Sequence, residues 1–171
     1  MAMIRKASAV RKKLHMLIYG EQGTGKSRTA MQLCYLKNAD GKPFRVLYLD
    51  TENGSIDNYT EELEANGVNP DNLLIVYTQS LAEVQDYIKM VTNDEDIEDE
   101  NGDVYLDADG KPFRADALVV DSASILKMTA TQGLTAFSQK RAKVKAASQG
   151  LTGDEKAVKI EGAGMELKDF N

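Results

Sequence analysis

The residues best placed to do chemistry are Gly20-Glu21-Gln22-Gly23-Thr24-Gly25-Lys26-Ser27. They fill every fixed position of G-x-x-x-x-G-K-[ST], a spacing in which each part answers a need of a triphosphate tail. Gly20, Gly23 and Gly25 let the main chain curl so that successive N–H groups point inward at phosphate oxygens. Lys26 brings a compact positive charge to the outer phosphates, and the Ser27 hydroxyl is an oxygen ligand for Mg2+. Arg28 follows in a helical pattern whose first turn adds the positive end of its dipole. Glu21, Gln22 and Thr24 complete the loop. The chemistry implied is binding of a nucleoside triphosphate.

Such a loop needs a second acid for the metal, usually at the end of a buried strand. Asp121 ends Ala117-Leu-Val-Val-Asp121, a run of four apolar residues closed by a carboxylate. Its ordinary alternative is to cap a helix beginning near Ser122 or Ser124. Asp50 is the rival, ending Val46-Leu-Tyr-Leu-Asp50 in the same way. Glu52, two residues beyond that strand, is the candidate to polarise an attacking water. Glu21 and a helix-dipole role for Glu52 are the alternatives.

These positions demand a scaffold that delivers several strand ends to one edge. Leu14–Tyr19, Val46–Leu49, Leu73–Tyr77 and Ala117–Val120 are near-continuous apolar runs, as strands buried on both faces require. Helical patterns lie between them near residues 26–36, 56–66 and 81–91, the last opening with the capping box Ser80-Leu-Ala-Glu83. Alternating strand and helix predicts an α/β fold: a mostly parallel sheet covered by helices on both faces. Ligands of such sheets bind at the carboxyl edge, where the loop and Asp121 both emerge. His15 lies within the first run and is expected to be packed, Cys34 is expected in the core, and Met16, Met31 and Met128 are expected as gap fillers in the packing.

At 171 residues, 42% hydrophobic and 28% charged, the chain has the composition of one globular unit. No apolar stretch reaches the roughly 20 residues of a membrane span. A single cysteine forms no internal disulfide, so a reducing, cytoplasmic setting is expected. The net charge of −6 is unevenly spread. Nine acids and no base occupy Asp94–Asp109, whereas Lys140, Arg141, Lys143 and Lys145 make Phe137–Gly150 basic. The hexapeptide Asp-Gly-Lys-Pro-Phe-Arg occurs at 40–45 and again at 109–114, each time before a strand. Its Asp-Gly reads as a turn, and Val104-Tyr-Leu106 before the second copy suggests a hairpin.

Leu49-Asp50-Thr51-Glu52, Pro70-Asp71-Asn72-Leu73-Leu74 and Leu118-Val-Val-Asp121-Ser122, in this order after the glycine-rich loop, resemble the RecA recombinase core. They resemble still more the phage-encoded RecA-like ATPases that work with single-strand annealing proteins. The resemblance runs from about Leu14 to Ser124. It implies ATP and Mg2+ as cofactors, Glu52 and Lys26 as catalytic residues, and Ser27 with Asp121 at the metal. It also implies assembly into homo-oligomers and action in DNA recombination, with single-stranded DNA and an annealing or single-strand-binding protein as partners.

The domain layout expected is a RecA-like P-loop ATPase core over residues 1–128, with an acidic insertion at about 93–114. A basic, loop-rich segment over 129–171 follows. Thr129–Asn171 contains no apolar strand, whereas RecA-like proteins continue with further strands, so the chain reads as shortened at its C-terminus. Lys140, Arg141, Lys143 and Lys145 fall where that family places a DNA-contacting loop, and a solvated helix face is their plain alternative. Two other classes fit the loop alone: a P-loop kinase of a small molecule, and a nucleotide-binding assembly module with little turnover. The kinase would want an arginine-rich lid, and residues 122–171 hold only Arg141.

Overall fold

The computed structural model describes residues 13–99 and 101–163; the basic cluster Arg5–Lys12 and the closing stretch 164–171 lie outside the described residues. The central element is β1 (Val46–Asp50), every residue of which is buried. It pairs in parallel with β2 (Leu73–Tyr77) on one side and β3 (Ala117–Asp121) on the other, giving the order β2-β1-β3. The registers Val46↔Leu73 and Asp50↔Asp121 bring the carboxyl ends of the three strands to one edge.

Alternation along β1 divides the core between two faces. Val46 and Tyr48 pack with Val119 against Met31 and Cys34, from the segment after the glycine-rich loop, and against Ile56 and Leu63. Leu47 and Leu49 turn the other way, onto Val84, Ile97, Phe113 and Leu126. Side chains with no exposed surface, such as Leu47, Leu49 and Phe113, each contribute about 1.5–3 kcal/mol by leaving water. Burial raises the Cys34 thiol to about 11, so it behaves as a small core hydrophobe.

The helices on the first face are α1 (Lys26–Met31), continued by a 3-10 turn over Gln32–Tyr35, and α2 (Asp57–Ala65). On the second face lie α3 (Leu81–Asn93) and the start of α4 (Ala123–Ser148). The Ser80 hydroxyl caps α3 by accepting the Glu83 N–H at 3.3 Å. The Glu83 carboxylate does not return to Ser80; it accepts the Thr78 hydroxyl at 2.5 Å. After residue 128, where a loop-rich segment with a helical stretch over 137–150 was expected, α4 is continuous to Ser148 and α5 (Gly153–Glu161) folds back against it. Helix-favouring Ala, Gln, Lys and Arg outweigh Gly133 along this stretch.

The expected strand Leu14–Tyr19 is not part of the sheet. It has no strand pairing, and Leu14, Met16, Leu17 and Tyr19 are 70–88% exposed. His15 and Met16 are therefore exposed rather than packed. The outer edges of β2 and β3 are open among the described residues, but this segment docks on neither, and an apolar run becomes a strand only when a neighbouring strand shares its ladder. Its first neighbour Lys13 instead donates from Nζ to the Val91 and Thr92 carbonyls at the end of α3.

Both hexapeptides form the turns expected, at the amino edge. The Asn38 N–H reaches the Lys42 carbonyl at 2.7 Å, and the Asp107 N–H reaches that of Lys111 at 2.7 Å. A third turn of the same form, Asp99 N–H to Asp103 carbonyl at 2.9 Å, was not expected. The two phenylalanines point to opposite faces: Phe44 packs on the Tyr48 side and Phe113 on the Leu47 side.

Candidate functional site

The glycine-rich loop closes on itself through its own carbonyls. Thr24 Oγ1 donates to the Glu21 carbonyl at 2.8 Å. Lys26 Nζ donates to the carbonyls of Gly20 at 3.0 Å and Glu21 at 2.8 Å, so the ammonium folds back over the curl. Gly23 and Gly25 have φ of +79° and +82°, the left-handed region that favours glycine. A Cβ on Gly20 would stand 3.0 Å from Thr24 Oγ1. The loop is thus shaped by the residue types that the triphosphate pattern requires. Glu21, Gln22 and Thr24 are exposed.

Ser27, in the first turn of α1, donates from Oγ to Asp121 Oδ2 at 2.5 Å. This contact joins residues 94 apart in sequence and places the loop against the end of β3. The same carboxylate oxygen accepts the phenol of Tyr48 at 2.6 Å. Tyr48 has no exposed surface; burial, and then its bond to Asp121, push its phenol well above the usual tyrosine range. Tyr48 was not among the residues expected at the site. The signal available was a polar tip in the otherwise aliphatic run Val46–Leu49, which must find a partner when buried.

Asp50, the rival to Asp121, is occupied otherwise. It is fully buried, and its carboxylate accepts the N–H groups of Glu52 and Gly54, both at 2.9 Å, and of Ile56 at 3.4 Å. It holds the 51–56 loop in place of a metal. Glu52 sits exposed on this loop, and its carboxylate has no hydrogen bond among the described residues. Thr51, buried beside it, bonds Ser122 twice: its Oγ1 accepts the Ser122 N–H at 2.7 Å and donates to the Ser122 carbonyl at 2.9 Å. Gln79, beyond β2, donates to the Thr51 carbonyl at 3.1 Å.

Ser27 and Asp121 are a hydroxyl and a carboxylate, hard oxygen donors that fit Mg2+, which is commonly held by one or two protein oxygens together with phosphates and water. Among the described residues there is no group of three or more His, Cys, Asp or Glu that could hold a metal by itself. Arg28 does not turn its side chain to the loop; its guanidinium pairs with Glu62 of α2 at 2.7 Å, and the Glu62 carboxylate raises its pKa.

Lys140, Arg141, Lys143 and Lys145 lie together on α4, with Arg141 5.3 Å from the Phe137 ring centre. At about 100° per residue the four spread over more than half the helix circumference. No helix among the described residues is long and apolar enough to cross a membrane.

Neither a curated protein nor a solved structure matches the chain. Residues 12–153 match the model of a family described as AAA domain. The match begins ahead of the glycine-rich loop and takes in the three strands, Asp121 and all of α4. With its parallel sheet, helices on both faces and the loop at the carboxyl edge, the chain belongs to the AAA domain family, within the P-loop ATPases.

Proposed function

We propose that this protein binds ATP with Mg2+ in the 20–27 loop and hydrolyses it, in the manner of the RecA-like ATPases, to act on single-stranded DNA in recombination. The observation that carries the nucleotide reading is the 2.5 Å bond from Ser27 to Asp121, which couples the phosphate loop to the strand-ending acid. In this reading Gly20–Gly25 present main-chain N–H groups to the phosphates, and Lys26 exchanges the carbonyls of Gly20 and Glu21 for phosphate oxygens. Ser27 and Asp121 would hold Mg2+, whose charge offsets that developing on the transferred phosphoryl group. Glu52, exposed at the same edge with an unbonded carboxylate, orients and deprotonates the attacking water.

The DNA part of the proposal rests on the resemblance in sequence and on the cations of α4. Lys140, Arg141, Lys143 and Lys145 are the phosphate-contacting groups, and the Phe137–Arg141 pair offers a face for a base. Homo-oligomeric assembly and an annealing or single-strand-binding protein as partner belong to the same reading.

Calorimetry with ATP, with and without Mg2+, tests the first part. Lys26→Ala should weaken ATP binding on the order of 10- to 100-fold by removing a charge-assisted contact. Glu52→Gln should keep ATP affinity and lose turnover; unchanged turnover would assign the base elsewhere. For the DNA part, single-stranded DNA should stimulate hydrolysis, and charge removal at Lys140, Lys143 and Lys145 should lower the salt dependence of DNA binding.

A further inference from the structure

We infer that Tyr48 is a positioning residue, fixing the Asp121 carboxylate so that one of its oxygens faces the metal. The inference rests on the ATP·Mg2+ reading of the site and names a residue that reading does not contain.

The sheet register sets the geometry. Tyr48 lies opposite Val119 and Asp50 opposite Asp121, so Tyr48 and Asp121 point to the same face, one pleat repeat apart. A phenol is long enough to cover that step, and it lands on Asp121 Oδ2 at 2.6 Å. The ring has two rotatable bonds and is enclosed by Val46, Ile56, Leu63 and Val119, so it has little freedom to follow a moving carboxylate. A buried hydroxyl must be satisfied by the protein, and this one is satisfied at the site.

The second donor makes the arrangement specific. Ser27 Oγ reaches the same Oδ2 at 2.5 Å. Two hydroxyl protons therefore converge on one oxygen from two directions, which fixes both the position and the rotation of the carboxylate. Oδ1 accepts no hydrogen bond from the described residues and keeps its lone pairs for a cation. The Ser27 oxygen can turn a lone pair to the same cation while its own proton stays hydrogen-bonded to Asp121. Without the phenol, Asp121 would be tethered by Ser27 alone, the residue that must also serve the metal.

The test is calorimetry of the full chain with a non-hydrolysable ATP analogue, with and without Mg2+, for wild type and Tyr48→Phe. The expected result is metal-free affinity within about twofold of wild type and a magnesium-dependent gain reduced about tenfold, the size of a lost hydrogen bond to a charged group. A full gain in Tyr48→Phe overturns this inference alone, as does an equal loss with and without metal, which marks a merely structural role. A wild-type chain with no magnesium-dependent gain overturns the site reading itself. If Tyr48→Phe does not fold, 3-fluorotyrosine in place of Tyr48 keeps the shape and the hydroxyl. Its 19F resonance should shift when Mg2+ is added to the analogue-bound chain, and a resonance that stays put overturns the inference.

Discussion

The two edges of the sheet use aspartate in opposite ways. At the carboxyl edge Asp50 is fully buried, and Asp121 is half-buried beneath a buried phenol; their partners are hydroxyls and main-chain N–H groups rather than cations. At the amino edge Asp107, Asp109 and Asp116 meet Arg45 and Lys42 in direct ion pairs. Arg45 lies 3.0 Å from Asp116 and 3.7 Å from Asp107, and Lys42 lies 3.2 Å from Asp109. Buried carboxylates bonded by neutral donors hold a fixed geometry and keep their charge for something else. Ion pairs instead satisfy each other, and where water screens them, as at Lys42–Asp109, they add little. A site that must attract a cation therefore belongs to the first kind of edge, and the joining of two turns to the second.

Three substitutions would break or sharpen this contrast. The largest effect is expected for Asp50→Ala, which strands the N–H groups of Glu52, Gly54 and Ile56 inside the protein. A loss of about 3 kcal/mol or more should appear as a lower urea midpoint. An Asp50→Ala chain as stable as wild type would deny the carboxyl edge its special character. Arg45→Ala should cost about 1–3 kcal/mol, since it leaves the largely shielded Asp107 and Asp116 carboxylates without their guanidinium partner. This pair also carries a pH signature. Burial pushes the Asp116 carboxyl up, but the Arg45 side chain and main-chain N–H outweigh burial and hold it below the usual carboxylate range. A carboxyl so lowered stabilises the fold above its unfolded pKa of about 3.9 and loses that contribution as pH falls further, through its folded value. Urea midpoints below about pH 4 should drop less in Arg45→Ala than in wild type. Lys42→Ala is expected to have the smallest effect, with no measurable change in midpoint and none in its salt dependence beyond about 0.1 M.

Much of this arrangement was legible in the sequence because it is written locally. The loop at 20–27, the strand-ending Asp121 and the helices after Ser80 and Ser122 are set by neighbouring residues and need no knowledge of the rest. Leu14–Tyr19 was misread because strand pairing is a property of two segments, and its own apolar pattern says nothing about whether it docks on another strand. Tyr48 was overlooked because one hydroxyl in Val-Leu-Tyr-Leu counts as core until the register with β3 is known. Asp50 and Asp121 end similar strands. Only the turn of the chain after each, a curled loop over Asp50 and a helix after Asp121, separates their roles. The third turn at Asp99–Asp103 was missed although its Asn101-Gly102 is as strong a turn signal as Asp-Gly, because the acidic run around it was read only as an insertion.

The pair of hydrogen bonds between Thr51 and Ser122 has a mechanical meaning. Ser122 is the cap from which the 26 residues of α4 start, so the far end of that rod lies about 39 Å from its pivot at 1.5 Å per residue. A tilt of about 5° at the pivot would sweep the distal turns through about 3 Å, with α5 carried along as a counterweight. The grip of one threonine on one serine thus stands at the fulcrum of a long arm.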